Sequence, residues 1–285
     1  MSTRQTSGLW TMTKGEFEES VTALERAVVT QGGNPRDLFD LFRTDNEYAS
    51  RIAEAMMRKG LVGSIESRLA QVVLGRNIFT DADWISYYDA KFTKKQLREA
   101  GKFPWGEDVL NSPYPFNKGK LVKDTHFAFL GISGLNGQPL TVAKLLELHP
   151  ATGQPKFYFN ADPWHVGQHH TDVATMQLRW YLLLKDIVPG STGKTPEEQV
   201  AILPPEYEVP TTIVETSKDI LVFKKTGERP NRSRWAACTE RTVKTDKGSA
   251  GHVSCVGIFG ELGLLVHYWL GYRHGSVGLG ASRKF

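Results

Sequence analysis

Four side chains between residues 149 and 170 have the chemistry of a metal centre. His149, Asp162, His165 and His169, with His170 beside them, lie in or just ahead of the run Ala161-Asp-Pro-Trp-His-Val-Gly-Gln-His-His-Thr-Asp172. Neutral imidazoles and a carboxylate are good ligands for Zn²⁺ or Fe²⁺, and three of them leave a position open for a water that a divalent metal turns into a nucleophile. His165 and His169 stand at i and i+4, on one face of any helix that forms there. Gly167 and Pro163 work against that helix, and no glutamate lies between the two histidines as a zincin motif requires. The reaction this set implies is metal-dependent hydrolysis, with a divalent cation as cofactor.

Two other constellations are less complete. Val188-Pro-Gly-Ser-Thr-Gly-Lys-Thr195 has the outline of a phosphate loop, but Val188 stands where the tight turn needs glycine. Pro189 and Pro196 also remove N–H groups that would face the anion. A turn followed by a helix cap on Thr195 is the expected structure. Cys238 and Cys255, with His252 and His267, could form a thiolate–imidazole pair. The alternation of Cys255 with Val253 and Phe259 instead marks a buried thiol, and without a C-x-x-C pair a structural zinc is not expected.

Charge is distributed unevenly. The net charge is +4, yet residues 218–247 hold nine basic residues against four acids, so the whole surplus lies there. Lys224, Lys225, Arg229, Arg232, Arg234 and Arg241 surround Trp235, and cations beside an aromatic ring form a workable nucleic-acid surface, the charges releasing counterions and the ring stacking on a base. From this segment the sequence is read first as that of a non-enzymatic binding or regulatory protein contacting a polyanion, such as nucleic acid, or another protein. The hydrolase at 149–170 is the alternative, and a structural subunit of a larger assembly, hence an oligomer, is a third.

The elements that must position these residues divide the chain into three stretches. Thr13-Lys-Gly-Glu16 is a capping box opening a helix over 14–31, and Asn34-Pro35 caps a second carrying Leu38, Phe39, Leu41 and Phe42. Asp45 caps a third helix ending near Gly60, and Ser64 a fourth ending at Gly75, which gives a helical region over 1–75. Leu9, Trp10 and Met12 precede it without a helical pattern, as a short docking segment or a strap on the domain. Residues 76–120, with Phe103-Pro-Trp and Ser112-Pro-Tyr-Pro-Phe116, read as an aromatic, proline-rich connector with short helices whose rings pack on the domain C-terminal to it. Residues 121–285 read as an α+β domain. Thr125–Ile132 and Lys156–Phe159 are strands, and Leu178–Val188 is assigned as a strand over a buried helix. Thr195-Pro-Glu-Glu198 opens a helix, and Pro210–Thr226 keeps a helical period that Gly227 ends. Arg234–Thr239 starts a closing antiparallel meander that continues through His252–Phe259 and Leu264–Tyr272, joined at Gly260-Glu-Leu-Gly263. The fold class is therefore α+β.

Lys123-Asp-Thr-His126, Val188-Pro-Gly-Ser-Thr with Lys194-Thr-Pro-Glu-Glu-Gln199, Thr226-Gly-Glu-Arg229, and Gly263-Leu with Leu279-Gly-Ala-Ser-Arg-Lys284 resemble a family of bacterial proteins of unassigned function. The resemblance covers about residues 75–285 and implies a bacterial source and a shared α+β domain, with no reaction, cofactor or site residue.

Composition closes off several classes. With 40% hydrophobic and 23% charged residues the chain is neither disordered nor fibrous, and two cysteines cannot build a disulfide framework. The first ten residues lack the apolar core of a signal peptide, and Leu262–Leu270 is far shorter than the ~20 residues a spanning helix needs. A cytoplasmic location without membrane contact is expected.

Overall fold

A computed structural model of the chain describes residues 13–30, 32–46, 65–158, 165–245 and 249–285. The third expected helix, the Ser64 cap, the strap at Leu9–Met12, Asp162 and Lys247 lie outside these residues. The chain divides into two compact units, Met1–Met57 and Arg58–Phe285.

In the first unit, α1 (Lys14–Thr30) and α2 (Pro35–Thr44) pack against each other. The Asn34 side chain accepts from the Arg36 N–H at 3.0 Å, and Pro35 occupies the first turn, where its missing N–H leaves no orphan. Leu38, Phe39 and Phe42 are half-buried along α2.

The second unit begins earlier than the sequence pattern indicates. The helix Ile65–Leu74, expected in the N-terminal helical region, buries Ala70 and Leu74 in the core with Ile78 and Phe79. Residues 76–120 lie within this unit, their rings packed on it as expected. Trp84 donates its indole N–H to the Leu130 carbonyl at 2.7 Å, Trp180 donates to Ala100 at 2.8 Å, and Phe103, Trp105 and Leu110 are buried. Aromatics this large bury too much apolar surface to stay on a solvated linker.

The strands in chain order are β1 (Ile78–Phe79), β2 (Pro113–Tyr114), β3 (Asn117–Leu121), β4 (His126–Leu130), β5 (Gly134–Leu135), β6 (Gln138–Pro139), β7 (Trp180–Leu184), β8 (Tyr207–Glu208), β9 (Trp235–Arg241), β10 (Val253–Gly260), β11 (Gly263–Trp269), β12 (Val277–Leu279) and β13 (Ser282–Arg283). One five-stranded sheet runs β1-β4-β7-β13-β8, with β1 parallel to β4 and the other pairs antiparallel. Every residue of β4 and β7 is buried, the mark of a strand covered on both faces, which explains why the 178–188 run also has the composition of a buried helix. His126 ties this sheet together: its Nδ1 lies 3.0 Å from the Val122 carbonyl, so Nε2 accepts from the Tyr207 hydroxyl at 2.9 Å. Burial holds this imidazole neutral, near 3, against the hydrogen bond to Val122.

The second sheet, β11-β10-β9-β12, is the expected meander, its hairpin turning at Gly260–Gly263, with β12 added parallel to β9. The described part of the expected strand at 156–159, residues 156–158, contributes less than a strand: Phe157 forms an isolated parallel bridge with Leu264.

Between the sheets runs a central helix, Thr212–Thr226. It packs against β9 and β10 on one side and β1 and β4 on the other, and every residue from Thr212 to Val222 is buried. Gly227, at φ 75, ends it in the left-handed conformation that glycine adopts without steric penalty. No helix among the described residues is long and apolar enough to cross a membrane.

Candidate functional site

The central helix carries charge into the middle of the protein. Glu215, Lys218 and Asp219 are 1%, 0% and 0% exposed. Positions i, i+3 and i+4 put the three on one helical face. The Lys218 ammonium lies 2.6 Å from Glu215 Oε1 and 2.9 Å from Asp219 Oδ1, and it also donates to the Lys185 carbonyl at 3.3 Å. Asn231 closes the group from outside the helix. Its amide N–H₂ donates to Glu215 Oε1 at 3.0 Å and reaches both Asp219 oxygens at 3.4 Å. Two carboxylates therefore share one buried ammonium. Burial would strip the proton from Lys218, but Asp219 and Glu215 outweigh it and hold the ammonium above the ordinary lysine range. The remaining imbalance falls on Asp219. Burial, reinforced by the Glu215 charge and opposed by Lys218, pushes its carboxyl up to about 7.

Asn231 belongs to the loop 228–234, which is fixed from the other side by a bulge in β10. The Ile258 N–H donates to the Arg234 carbonyl at 2.9 Å, the Phe259 N–H to the Asn231 carbonyl at 3.3 Å, and the Arg234 N–H to the same Asn231 carbonyl at 3.2 Å. Both ends of this clasp sit in the left-handed region, Asn231 at φ 50 and Ile258 at φ 47. Asparagine tolerates that conformation. A β-branched isoleucine does not, and its strain, of order 1–3 kcal/mol, persists only because the surroundings enforce it.

Over the clasped loop lies a cleft of about 400 Å³ lined by four cations, Lys185, Arg229, Arg232 and Arg234, and two acids, Asp186 and Glu228. The cations differ in how much of their charge is engaged. Lys185 lies 3.2 Å from Glu228, which Arg76 also contacts. Arg229 donates to the Gly260 carbonyl at 2.7 Å and pairs with Glu261 at 3.2 Å while stacking over Phe223 and Phe259. Arg232 is exposed, with Glu261 at 3.7 Å. Arg234 is exposed and has no ion-pair partner among the described residues, and Ser233 offers a hydroxyl between these two. Guanidinium groups present paired N–H donors that match an oxyanion, and a serine O–H adds a third kind of donor.

The rest of the basic segment does not form one continuous surface with this cleft. Lys225 pairs with Asp83 at 2.5 Å, and Arg241 lies 3.9 Å from Glu197. Lys224 is half-buried, its ammonium 5.2 Å from the ring centres of both Tyr87 and Tyr88. Trp235 is packed against the core cluster that holds Tyr114, Leu184 and Trp269, with its ring 5.6 Å from His267, so it is not a free stacking platform. A count of charges along the chain misses this because it cannot see which acids from other segments face the cations.

Of the expected metal ligands, Asp162 lies outside the described residues, and His149, His165 and His169 belong to no metal-holding group among them. His149 is buried with its Nε2 3.0 Å from the Tyr88 hydroxyl; burial first, then the Lys224 charge, lower its imidazole to about 4. His165 is buried and lowered by burial, with Asp172 opposing, while His169 is exposed. His170 is lowered to about 4, again chiefly by burial. Between them Gln168 clips the segment to the chain, its amide accepting from the Val243 N–H at 2.8 Å and donating to the Val243 carbonyl at 2.9 Å. Among the described residues no three His, Cys, Asp or Glu side chains are arranged to hold a metal ion.

Cys238 and Cys255 are buried and their thiols are pushed up by that burial, so neither is a nucleophile at neutral pH. The segment 188–195 is the expected turn and cap: the Ser191 hydroxyl donates to the Val188 carbonyl at 2.6 Å, and Thr195 with Glu198 forms the capping box.

No family model, curated protein or solved structure matches this chain. The chemistry of the cleft therefore rests on its own residues. Of these, Arg229, Arg232 and Arg234 stand out in the sequence by charge. Lys185, Ser233 and Asn231 do not, and Glu215 and Asp219 carry a signal that charge counting passes over: acids at i and i+4 around a lysine, on a helix flanked by Ile213, Val214, Ile220 and Leu221.

Proposed function

We propose that the protein is a binding protein for a phosphate-bearing partner, recognised through the cleft over residues 228–234. The observation that carries this reading is Arg234, exposed and without an acid partner among the described residues, beside Arg232 and Ser233 on the wall of a concave site where cations outnumber acids. Such donors favour a group with several negatively charged oxygens. The loop that bears them is held in place by the clasp, so little ordering entropy is lost when the anion arrives. Lys225, Arg229 and Arg241 already face acids of this chain, which favours one phosphate group per site over a long stretch of polymer backbone.

The test is binding of inorganic phosphate and of a fluorescent single-stranded oligonucleotide across a salt series. Phosphate competes with the oligonucleotide, and log affinity falls against log salt with a slope of about −1 to −2, the signature of one or two neutralised charges. The double substitution Arg232→Ala/Arg234→Ala weakens both ligands by about tenfold or more, from the loss of charge-assisted hydrogen bonds. Unchanged affinity in that variant, or no binding of either ligand at low salt, overturns the reading. A slope steeper than about −4 would instead point to an extended nucleic-acid track.

A further inference from the structure

The anion cleft and the buried charges share two residues. Asn231 lines the cleft and hydrogen-bonds Glu215 and Asp219, while Lys185 lines it and accepts from Lys218 through its carbonyl. Within the buried group two carboxylates face one ammonium at 0–1% exposure, and an uncompensated negative charge in that environment is strongly unfavourable. Glu215 Oε2 and the side-chain oxygen of Asn231 have no hydrogen-bond partner among the described residues, so the group contains acceptors that a further proton would satisfy. Lys218 is the cation ion-paired with it among the described residues; on β9 the Cys238 thiol feels the Glu215 charge and Glu240 is bonded to Thr212, and the Lys185 ammonium pairs with Glu228.

We propose that the cleft binds its anion together with a proton, which is taken up by the Glu215–Asp219 pair. This rests on the reading of the cleft as an anion site. Negative charge arriving next to Asn231 and Lys185 makes the unneutralised carboxylate less favourable and its protonated form more so. By reciprocity, the protonated protein binds the anion more tightly. The step moves one proton from solvent to a carboxylate oxygen and breaks no other bond. Asp219, already pushed up to about 7, is poised to make that exchange near neutral pH.

The experiment is calorimetric titration of the full chain with sodium sulfate, which keeps its double charge across the range, in two buffers of different protonation enthalpy at pH 7. The wild type gives different heats in the two buffers, corresponding to uptake of a fraction of a proton per sulfate, and binds about fivefold or more tightly at pH 6 than at pH 8. Asp219→Asn removes a buried charge without removing a cleft residue. It binds sulfate with equal heats in the two buffers and with a flat pH profile, and Glu215→Gln provides the same comparison from the second carboxylate. Equal heats in the wild type, or proton uptake unchanged in both variants, overturn the coupling while leaving the cleft intact. Absence of sulfate binding in wild type and variants alike overturns the anion site itself, and the coupling with it. None of the described histidines lines the cleft, and the loss of proton uptake in Asp219→Asn is what assigns the proton to the buried pair instead of to one of them.

Discussion

Replacing Lys218 with methionine lowers the stability of the folded chain by about 3–5 kcal/mol, measured by urea denaturation. Methionine fills a similar volume and keeps the helix, so the effect isolates the charge. Without the ammonium, Glu215 and Asp219 are two buried carboxylates on adjacent turns, with Asn231 donating to both. A loss below about 1 kcal/mol would show that the ammonium does not compensate them. Removing all three charges together, as Glu215→Gln/Lys218→Met/Asp219→Asn, restores most of the stability, because buried ion groups replaced by neutral side chains of similar shape are often neutral or better.

The same cluster fixes a pH dependence. Asp219 has its carboxyl raised from 3.8 to about 7 in the folded protein. Its contribution to stability is fully present below about pH 4 and is lost as the pH rises through about 7. The stability difference between Asp219→Asn and wild type therefore grows in favour of the variant from pH 5 to pH 8. The comparison needs the variant because the buried histidines act in the opposite sense. His126, lowered to about 3, and His149 and His170, each lowered to about 4, contribute stability above their ordinary value of 6.5 that is lost as the pH falls toward those values.

The second large effect is expected at the clasp. Gly257 sits at φ 155, and a β-carbon there would lie inside the van der Waals radius of the Arg234 carbonyl oxygen, with the backbone of Trp235 3.0 Å away. Gly257→Ala forces either the β10 bulge or the loop 228–234 to move. We expect a loss of about 3 kcal/mol or more, from backbone strain plus overpacking, together with weaker anion binding because the cleft is displaced. Ile258→Gly is the counterpart, since it relieves a β-branched side chain at φ 47. A gain there, or a loss well below that of Gly257→Ala, supports the strain assignment. Equal losses at the two positions would place the effect in sheet packing instead.

Much of the architecture is legible in the sequence because its signals are local. The Asn34-Pro35 cap, the Thr195–Glu198 capping box, the Gly227 stop and the Gly260–Gly263 turn each depend on a few adjacent residues with a defined hydrogen-bonding or backbone preference. What escapes is decided across long separations. Ile78-Phe79 is too short to show a period, yet it pairs with β4 and draws the preceding helix into the second unit. Phe157 meets β11 in an isolated bridge at Leu264. The site obeys the same division. Arg232 and Arg234 announce themselves by charge, but a charge count adds Lys218 to the basic surface, and only its flanking acids and apolar neighbours mark it as pointing into the core. Asn231 gains its role from the distant bulge at Gly257, whose closeness to the loop is set by the pairing of β9 with β10.

Both the cleft's proposed role and its coupling to the buried charges depend on an oxyanion binding at residues 228–234. Amide nitrogen–proton correlation spectra recorded during a titration with sodium sulfate test it most directly, because each backbone N–H reports on its own surroundings. Saturable shifts are predicted for Lys185, Asp186 and Glu228–Arg234, Pro230 excepted, with the effect carried through Asn231 to Glu215 and Asp219 on the central helix. Shifts that do not saturate, or that centre on Arg241, Lys244 and the histidines of 165–170 while the loop stays unchanged, would contradict it.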